Sequence, residues 1–339
     1  MFTPSRRQFV QGLGMISTAM ASGLPGLAFA QQAEFVLKFA NILPITHPVN
    51  VRAKEAAEAI RRDTQGRVDL QIYPNGQMGS DSDLFTQVRS GAIDFYNMGN
   101  GLSTLVPVAA INSVGFAFKD YEQVWAAMDG DLGRHVREQM AKVGLVAMET
   151  VWDNGFRHIT SSNKPIENPT DLYNFKIRVP PSQQASSMFK ALGASPVSIS
   201  FNEVYSALQT KLADGQENPL ALIEAARFYE VQKYCSLTSH IWDGFFFFTS
   251  AKSWNRLPTE VRDVVAKHIN VAGKAERADV LSLNAQLEGD LKTKGITFSR
   301  PDPAPFRAML QKAGFYSEWR KKYGEQAWTL LEKYTGALS

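Results

Sequence analysis

Three polar side chains stand where little else polar does. Arg178 lies in the run Phe175-Lys176-Ile177-Arg178-Val179, which Pro180 and Pro181 cut off. A guanidinium at a strand end presents a planar fork of donors matched to a carboxylate. Strand ends in parallel α/β sheets are also where ligands gather. The same fork suits a salt bridge to an Asp or Glu on a neighbouring element, and the residues alone leave both readings open. Arg157, in WDNGFRHITSS from Trp152 to Ser162, has the same two readings. Asn218, in DGQENP, offers an amide that either reaches a ligand oxygen or holds a turn before Pro219.

Patterns for catalysis are missing around these three. The chain holds no GxSxG, no phosphate loop, no GxGxxG, no HExxH and no CxxC. His47, His135, His158, His240 and His268 are scattered without metal-ligand spacing, and His135 and His268 fall on expected helices as surface residues. Asp81 and Asp83 in GSDSD suggest calcium less than they suggest a helix start, which favours Asp by capping and dipole. The one cysteine, Cys235, has no internal partner for a disulfide and sits in apolar company, which reads as a buried thiol. These residues point to no cofactor, no metal and no enzyme class.

The elements that would position these residues alternate between strand and helix. Phe35–Ile42 alternates as a strand. Asn50 opens a helix to about Arg62 with Ala53, Ala56, Ala57 and Ile60 on one face. Val68–Tyr73 is the next strand, Asp83–Arg89 the next helix, and Ala92–Met98 a third strand. This rhythm predicts a mainly parallel sheet covered by helices, an α/β fold. Further strands are predicted at Leu145–Trp152, Phe175–Val179 and Trp242–Ser250, with Pro196–Ser200 extended and helices at Gln183–Leu192 and Glu203–Lys211. From Pro258 to about Lys294 a helical pattern runs without a proline. At 1.5 Å per residue it would be about 54 Å long, more than one domain needs, which hints at a bilobed molecule.

The first thirty residues carry an address. Arg6 and Arg7 precede a weakly apolar stretch, and Ala28-Phe29-Ala30 closes it with small residues at signal-peptidase spacing. A twin arginine marks bacterial export of folded proteins. Cleavage after Ala30 would leave a mature chain from Gln31 in the periplasm. The whole chain has 36 basic and 33 acidic residues, and without Arg6 and Arg7 the balance is 34 to 33, a net +1. That balance speaks against nucleic acid or an anionic membrane surface as partner.

Seven motifs then appear in order: YPNGQMGSD, GAID, NGFRHITSSNKPI, DLYNFKIRVP, LGASPVSISFNEVYSALQT, DGQENPL and FYEVQKYCSLTSH. From Phe35 to about Tyr334 the chain resembles the solute-binding proteins of TRAP transporters, tripartite carriers driven by an ion gradient rather than by ATP. The resemblance implies two α/β domains with a ligand cleft between them and a long helix spanning both. Residues 31–153 and 243–282 would form domain I; residues 154–242 and 283–339 would form domain II. It implies that Arg178 pairs with a ligand carboxylate, that Arg157 and Asn218 help there, and that Phe201 forms an apolar wall. Lys211 departs from the family pattern, as do the loop after the first strand and Gly99–Asn100, so the ligand cannot be copied from a known member. The partners implied are a small organic acid and the integral membrane subunits of the transporter, with the protein a monomer.

Trp152, Trp242, one or more of Phe245–Phe248, and His47 are candidates for the remaining wall, against the alternative of ordinary core packing. A weakly charged aromatic pocket would suit an aromatic, 2-oxo or other monocarboxylate rather than a sugar acid. Two other functions compete: an exported enzyme using the same cleft, which lacks a nucleophile or base by motif, and a sensor module presenting ligand to a receptor kinase.

Overall fold

The structure is a computed structural model that describes residues 32–338, so the expected signal sequence lies outside the described residues. Residues 33–339 make one compact unit. Ten strands form its sheet: β1 (Phe35–Ala40), β2 (Val68–Tyr73), β3 (Phe95–Met98), β4 (Leu145–Ala147), β5 (Trp152–Ser161), β6 (Lys176–Val179), β7 (Ser195–Ser198), β8 (Gly215–Asn218), β9 (Tyr234–Ser250) and β10 (Thr297–Ser299). The main path is β2-β1-β3-β9-β5-β8-β6-β7, with β4 and β10 also paired to β9.

The sheet is mixed rather than mainly parallel. β1 lies parallel to β2 and β3, and β6 parallel to β7 and β8. These are the strand-helix-strand crossovers the alternating pattern predicts. β9 runs antiparallel to β3, β4 and β5. Its last residues, Phe246–Ser250, serve β3 and β4, whereas Tyr234–Phe245 pairs with β5. One 17-residue strand therefore stitches both halves of the sheet together, giving the bilobed α/β architecture. Its first eight residues were missed in the sequence because Thr238 and His240 interrupt the apolar run.

The expected strand Leu145–Trp152 is in fact two strands. Between β4 and β5 the chain is tied off sideways, Met148 N donating to Phe247 O at 2.8 Å and Thr150 N to Asn270 Oδ1 at 2.8 Å. Gly155, which reads as a turn signal after Asn154, stays inside β5. Its φ of 106° lies in the region that favours glycine, and the β5–β9 register shifts there, a bulge. Asn218 likewise ends a strand, β8, instead of sitting in a turn.

The long helix is Thr259–Thr293, 35 residues. It packs on the helix Pro48–Asp63 of one half, and on β5, the helix Leu220–Ala225 and β10 of the other. Gly273 lets it approach β5, since a Cβ there would sit 2.6 Å from Trp152 Nε1. Apolar side chains fill both faces of the sheet, with Phe39, Phe95 and Phe247 on one side of the first half and Ile177, Val179 and Phe189 in the other main cluster. His135, expected at the surface, is buried with Leu132, Val136 and Met140 on the inward face of its helix. Cys235 is fully buried, and burial pushes its thiol up. Among the described residues no helix is long and apolar enough to cross a membrane.

Where β5, β9 and the long helix meet, two carboxyl groups are buried. Asp153 Oδ1 accepts from Trp242 Nε1 at 2.9 Å, and Glu276 Oε2 accepts from Asp153 N at 2.9 Å. Among the described residues Glu276 Oε1 has no partner. Burial outweighs the bonds from Trp242 and the nearby Tyr121 hydroxyl and raises Asp153 to about 7; burial and the Asp153 charge push Glu276 well up. A raised carboxyl binds its proton more tightly folded than unfolded. Its stabilisation is complete below the ordinary carboxylate range and is lost as pH rises through about 7. The midpoint of thermal unfolding should therefore fall as pH rises from the ordinary carboxylate value of 3.8 to about 7 and level off above it, and Asp153→Asn should flatten that slope. An unchanged slope in the variant would refute the assignment.

Candidate functional site

A cavity opens between the strand ends of the two halves. Its wall includes Asp81, Asn97, Asn154, Arg157, Arg178, Phe201, Asn218, Asp243 and Phe245. Arg178 comes from β6, whose register places it beside Val197 of β7 and Gln216 of β8. The prolines that follow end the strand, and Arg178 lines the cavity at that end. Nε donates to Ile199 O at 2.8 Å, which fixes the plane of the group. Among the described residues no carboxylate comes within ion-pair distance of Arg178, although its side chain is only 1% exposed. Burial and the Arg157 charge pull its pKa down to about 10, against the pull of Glu217 and Asp81. A buried cation without a partner is costly unless something anionic joins it.

Arg157, beside it, is satisfied by the protein itself. Nε and Nη2 donate to the Glu217 carboxylate, the latter at 2.8 Å, and Nη2 also reaches Glu217 O at 2.7 Å. Nη1 donates to Asp243 Oδ2 at 2.9 Å. Glu217 also stands 3.2 Å from His240 Nε2, whose other ring nitrogen pairs with Thr238 Oγ1 at 2.7 Å. Burial would raise Glu217, but Arg157 and His240 outweigh it and hold the carboxyl at about 2. Burial lowers His240, partly offset by Glu217. Burial would lower Arg157 as well, and its two carboxylates win, so its net shift is upward. Of the two arginines in the wall, Arg157 keeps one Nη1 hydrogen, whereas Arg178 keeps both Nη groups for an incoming acid.

Asn218 also lines the cavity, its Nδ2 donating to Gln216 Oε1, and Phe201 lines it from a short turn, edge-on to Phe228. The structure does not bring the other three expected residues to the cavity. Trp152 is fully buried and stacks on Phe247 at 5.4 Å, behind the wall. Trp242 alternates to the far face of β9, where its ring meets Trp125 edge-on and its Nε1 is committed to Asp153. His47 caps the helix Pro48–Asp63, Nδ1 accepting from Val49 N at 3.3 Å, and its burial holds it neutral, near 3. Of the four consecutive phenylalanines only Phe245 reaches the cavity.

Four wall residues were not recognised in the sequence. Asp81 looked like a cap, but Asp83 does that work by accepting from Ser80 N at 2.9 Å and Ser80 Oγ at 2.7 Å. Asp81 is left to accept from Tyr96 Oη at 2.7 Å and to face the cavity. Asp243 had a readable signal, a lone charge inside the apolar run Ile241–Phe248. Asn97 and Asn154 had none. Among the described residues no group of three or more His, Cys, Asp or Glu is arranged to hold a metal ion.

The signature of DctP, the bacterial extracellular solute-binding protein family 7, matches residues 39–321. The chain belongs to that family. This solute-binding protein is 32% identical over 304 residues to a solute-binding protein of Roseobacter denitrificans, covering 90% of this chain and 92% of that one. It is 34% identical over 275 residues to the sialic acid-binding periplasmic protein of Vibrio cholerae, covering 80% and 84%. Its fold superposes on a TRAP solute-binding protein of Roseobacter denitrificans holding L-galactonate, with a TM-score of 0.83, 30% identity and coverage of 89% and 99%. A TRAP solute-binding protein of Polaromonas holding D-erythronate gives a TM-score of 0.84 at 28% identity, covering 90% and 99%. These relatives are binding proteins of transporters, not enzymes.

Proposed function

We propose that this solute-binding protein captures a small monocarboxylate at Arg178 and delivers it to the membrane subunits of a TRAP transporter. The observation that carries the reading is the buried Arg178 guanidinium, fixed by one carbonyl and facing the cavity, with no carboxylate of the described protein paired to it. A ligand carboxylate would take up both remaining nitrogens, with Asn218 as a further donor. Charge balance favours a single carboxylate on the ligand. Asp81, Glu217 and Asp243 already face Arg157 and Arg178, so a second ligand carboxylate would find no cation. With Trp152 and Trp242 in the core, Phe201 and Phe245 are the aromatic part of the wall, which favours a compact 2-oxo or 2-hydroxy acid over an aromatic one.

Residues 31–153 with 243–282, and 154–242 with 283–339, serve in this reading as the two lobes, with the crossing strands and the long helix as the hinge. Ligand touching both lobes shifts the population toward the closed form. The twin-arginine signal, cut after Ala30, would deliver the protein to the periplasm, where it acts as a monomer. A thermal-shift screen of two- to six-carbon acids, followed by small-angle scattering, tests the reading. Stabilisation by 2-oxo or 2-hydroxy monocarboxylates and compaction on adding them are expected. Stabilisation by succinate and other dicarboxylates alone would overturn it.

A further inference from the structure

The wall of the cavity carries polar atoms that nothing among the described residues satisfies. Asp243 Oδ1, Asn154 Oδ1 and both amide atoms of Asn97 are buried without a hydrogen-bond partner. Native interiors leave few such atoms, and a cluster of them in one cavity wall calls for an occupant. Asp243 is held rigidly for the purpose. Its Oδ2 takes both Asn154 Nδ2 and Arg157 Nη1, each at 2.9 Å, which leaves Oδ1 as the free lone-pair face of the carboxylate. Gly99 gives Oδ1 its space, because a Cβ at that position would lie 2.3 Å away. Asn97 stands on β3, opposite Phe247 of β9.

We propose that Asp243 and Asn97 are the specificity-determining residues of this cavity, and that they read hydroxyl groups on the body of the acid. The inference rests on the carboxylate reading of Arg178 given above. The unmet groups are mostly acceptors, so the ligand must present donors beyond its carboxylate. An ammonium would serve the acceptors but would leave Asn97 Nδ2 unmet. A hydroxyl both donates and accepts, and so satisfies both atoms of Asn97 as well as Asp243 Oδ1. The substrate class is therefore a hydroxylated monocarboxylate.

Calorimetry on matched acids tests this. The panel pairs glycerate with propanoate, D-erythronate with butanoate and L-galactonate with hexanoate, and adds serine and 2-aminobutanoate. At least one hydroxylated acid should bind about 100-fold or more tighter than its deoxy partner, because a site built to bond a hydroxyl strongly rejects the analogue that leaves its own groups unpaired. Asn97→Leu and Asp243→Asn should each lower that ratio at least about ten-fold, with folding checked by thermal unfolding. The proposal is overturned if no hydroxylated acid outcompetes its deoxy partner, if the amino acids bind best, or if both variants keep the wild-type ratio. Arg178→Ala separates the two levels. If it weakens hydroxylated and deoxy acids alike while both Asn97→Leu and Asp243→Asn keep the ratio, the hydroxyl inference fails alone; if it binds both as wild type does, the carboxylate reading fails.

Discussion

Arg178→Ala should raise the dissociation constant for the captured acid by about two to three decades or more. Removing one partner of a buried, hydrogen-bonded ion pair costs about 3–5 kcal/mol, and each 1.4 kcal/mol is tenfold. The same substitution should leave the ligand-free protein folded, within a few degrees of the wild-type unfolding midpoint. Among the described residues Arg178 has one hydrogen bond, to Ile199 O, and is a desolvated charge that weakens the fold as much as it supports it. The signature is therefore a lost ligand-induced rise in melting temperature rather than a lost fold. Arg178→Lys should also bind poorly, because lysine keeps the charge but not the fork. Calorimetry showing wild-type affinity in the alanine variant would remove Arg178 from the site.

Glu217→Ala should do the opposite, breaking the fold rather than the ligand contact. Glu217 is fully buried and holds Arg157 through its carboxylate and its carbonyl, with His240 on the other side. Its loss would leave Arg157 with Asp243 as the carboxylate bonded to it. About 3–5 kcal/mol of stability should go, since a buried charge is left largely uncompensated. For a domain of this size each kcal/mol moves the midpoint by roughly 2–4 °C, so a drop of about 10 °C is expected. A midpoint within about 2 °C of wild type would mean that Arg157 finds compensation elsewhere. The two arginines, read alike in the sequence, thus separate experimentally into one held by the protein and one held for the ligand.

Much of the local structure was legible because local rules decide it. Val68–Tyr73 alternates and ends at Pro74, and the strand runs over those residues. The long helix ends within a residue or so of its expected bounds, since Pro258 and Gly295 punctuate it. Arg178 was readable because two prolines fix where its strand stops. What was not legible depends on residues far apart in the chain. Arg157 is 60 positions from Glu217 and 86 from Asp243, and nothing near it in sequence says that its charge is already spoken for. Trp152 and Trp242 were ambiguous for a related reason. The face of a strand that meets the cavity depends on a bulge at Gly155 and on where β9 passes from one half to the other. Asn97 and Asn154 carry no local mark of function at all, and only their unmet hydrogen bonds in the folded chain single them out.

The count of charges around the cavity also bears on how an acid arrives. The two guanidiniums share this region with three carboxylates, Asp81, Glu217 and Asp243, and the Asp81 charge acts on Arg178. From a distance this opening projects no positive potential, and residues 31–339 carry 34 basic against 33 acidic side chains. An anion in the surrounding fluid is not drawn in by long-range attraction, which salt would in any case screen beyond about 10 Å. It finds the guanidinium by diffusion, and attraction begins inside the gap, where water is scarce and the field of one cation counts for most. Capture built this way trades speed of encounter for indifference to the salinity of the medium outside the cell membrane.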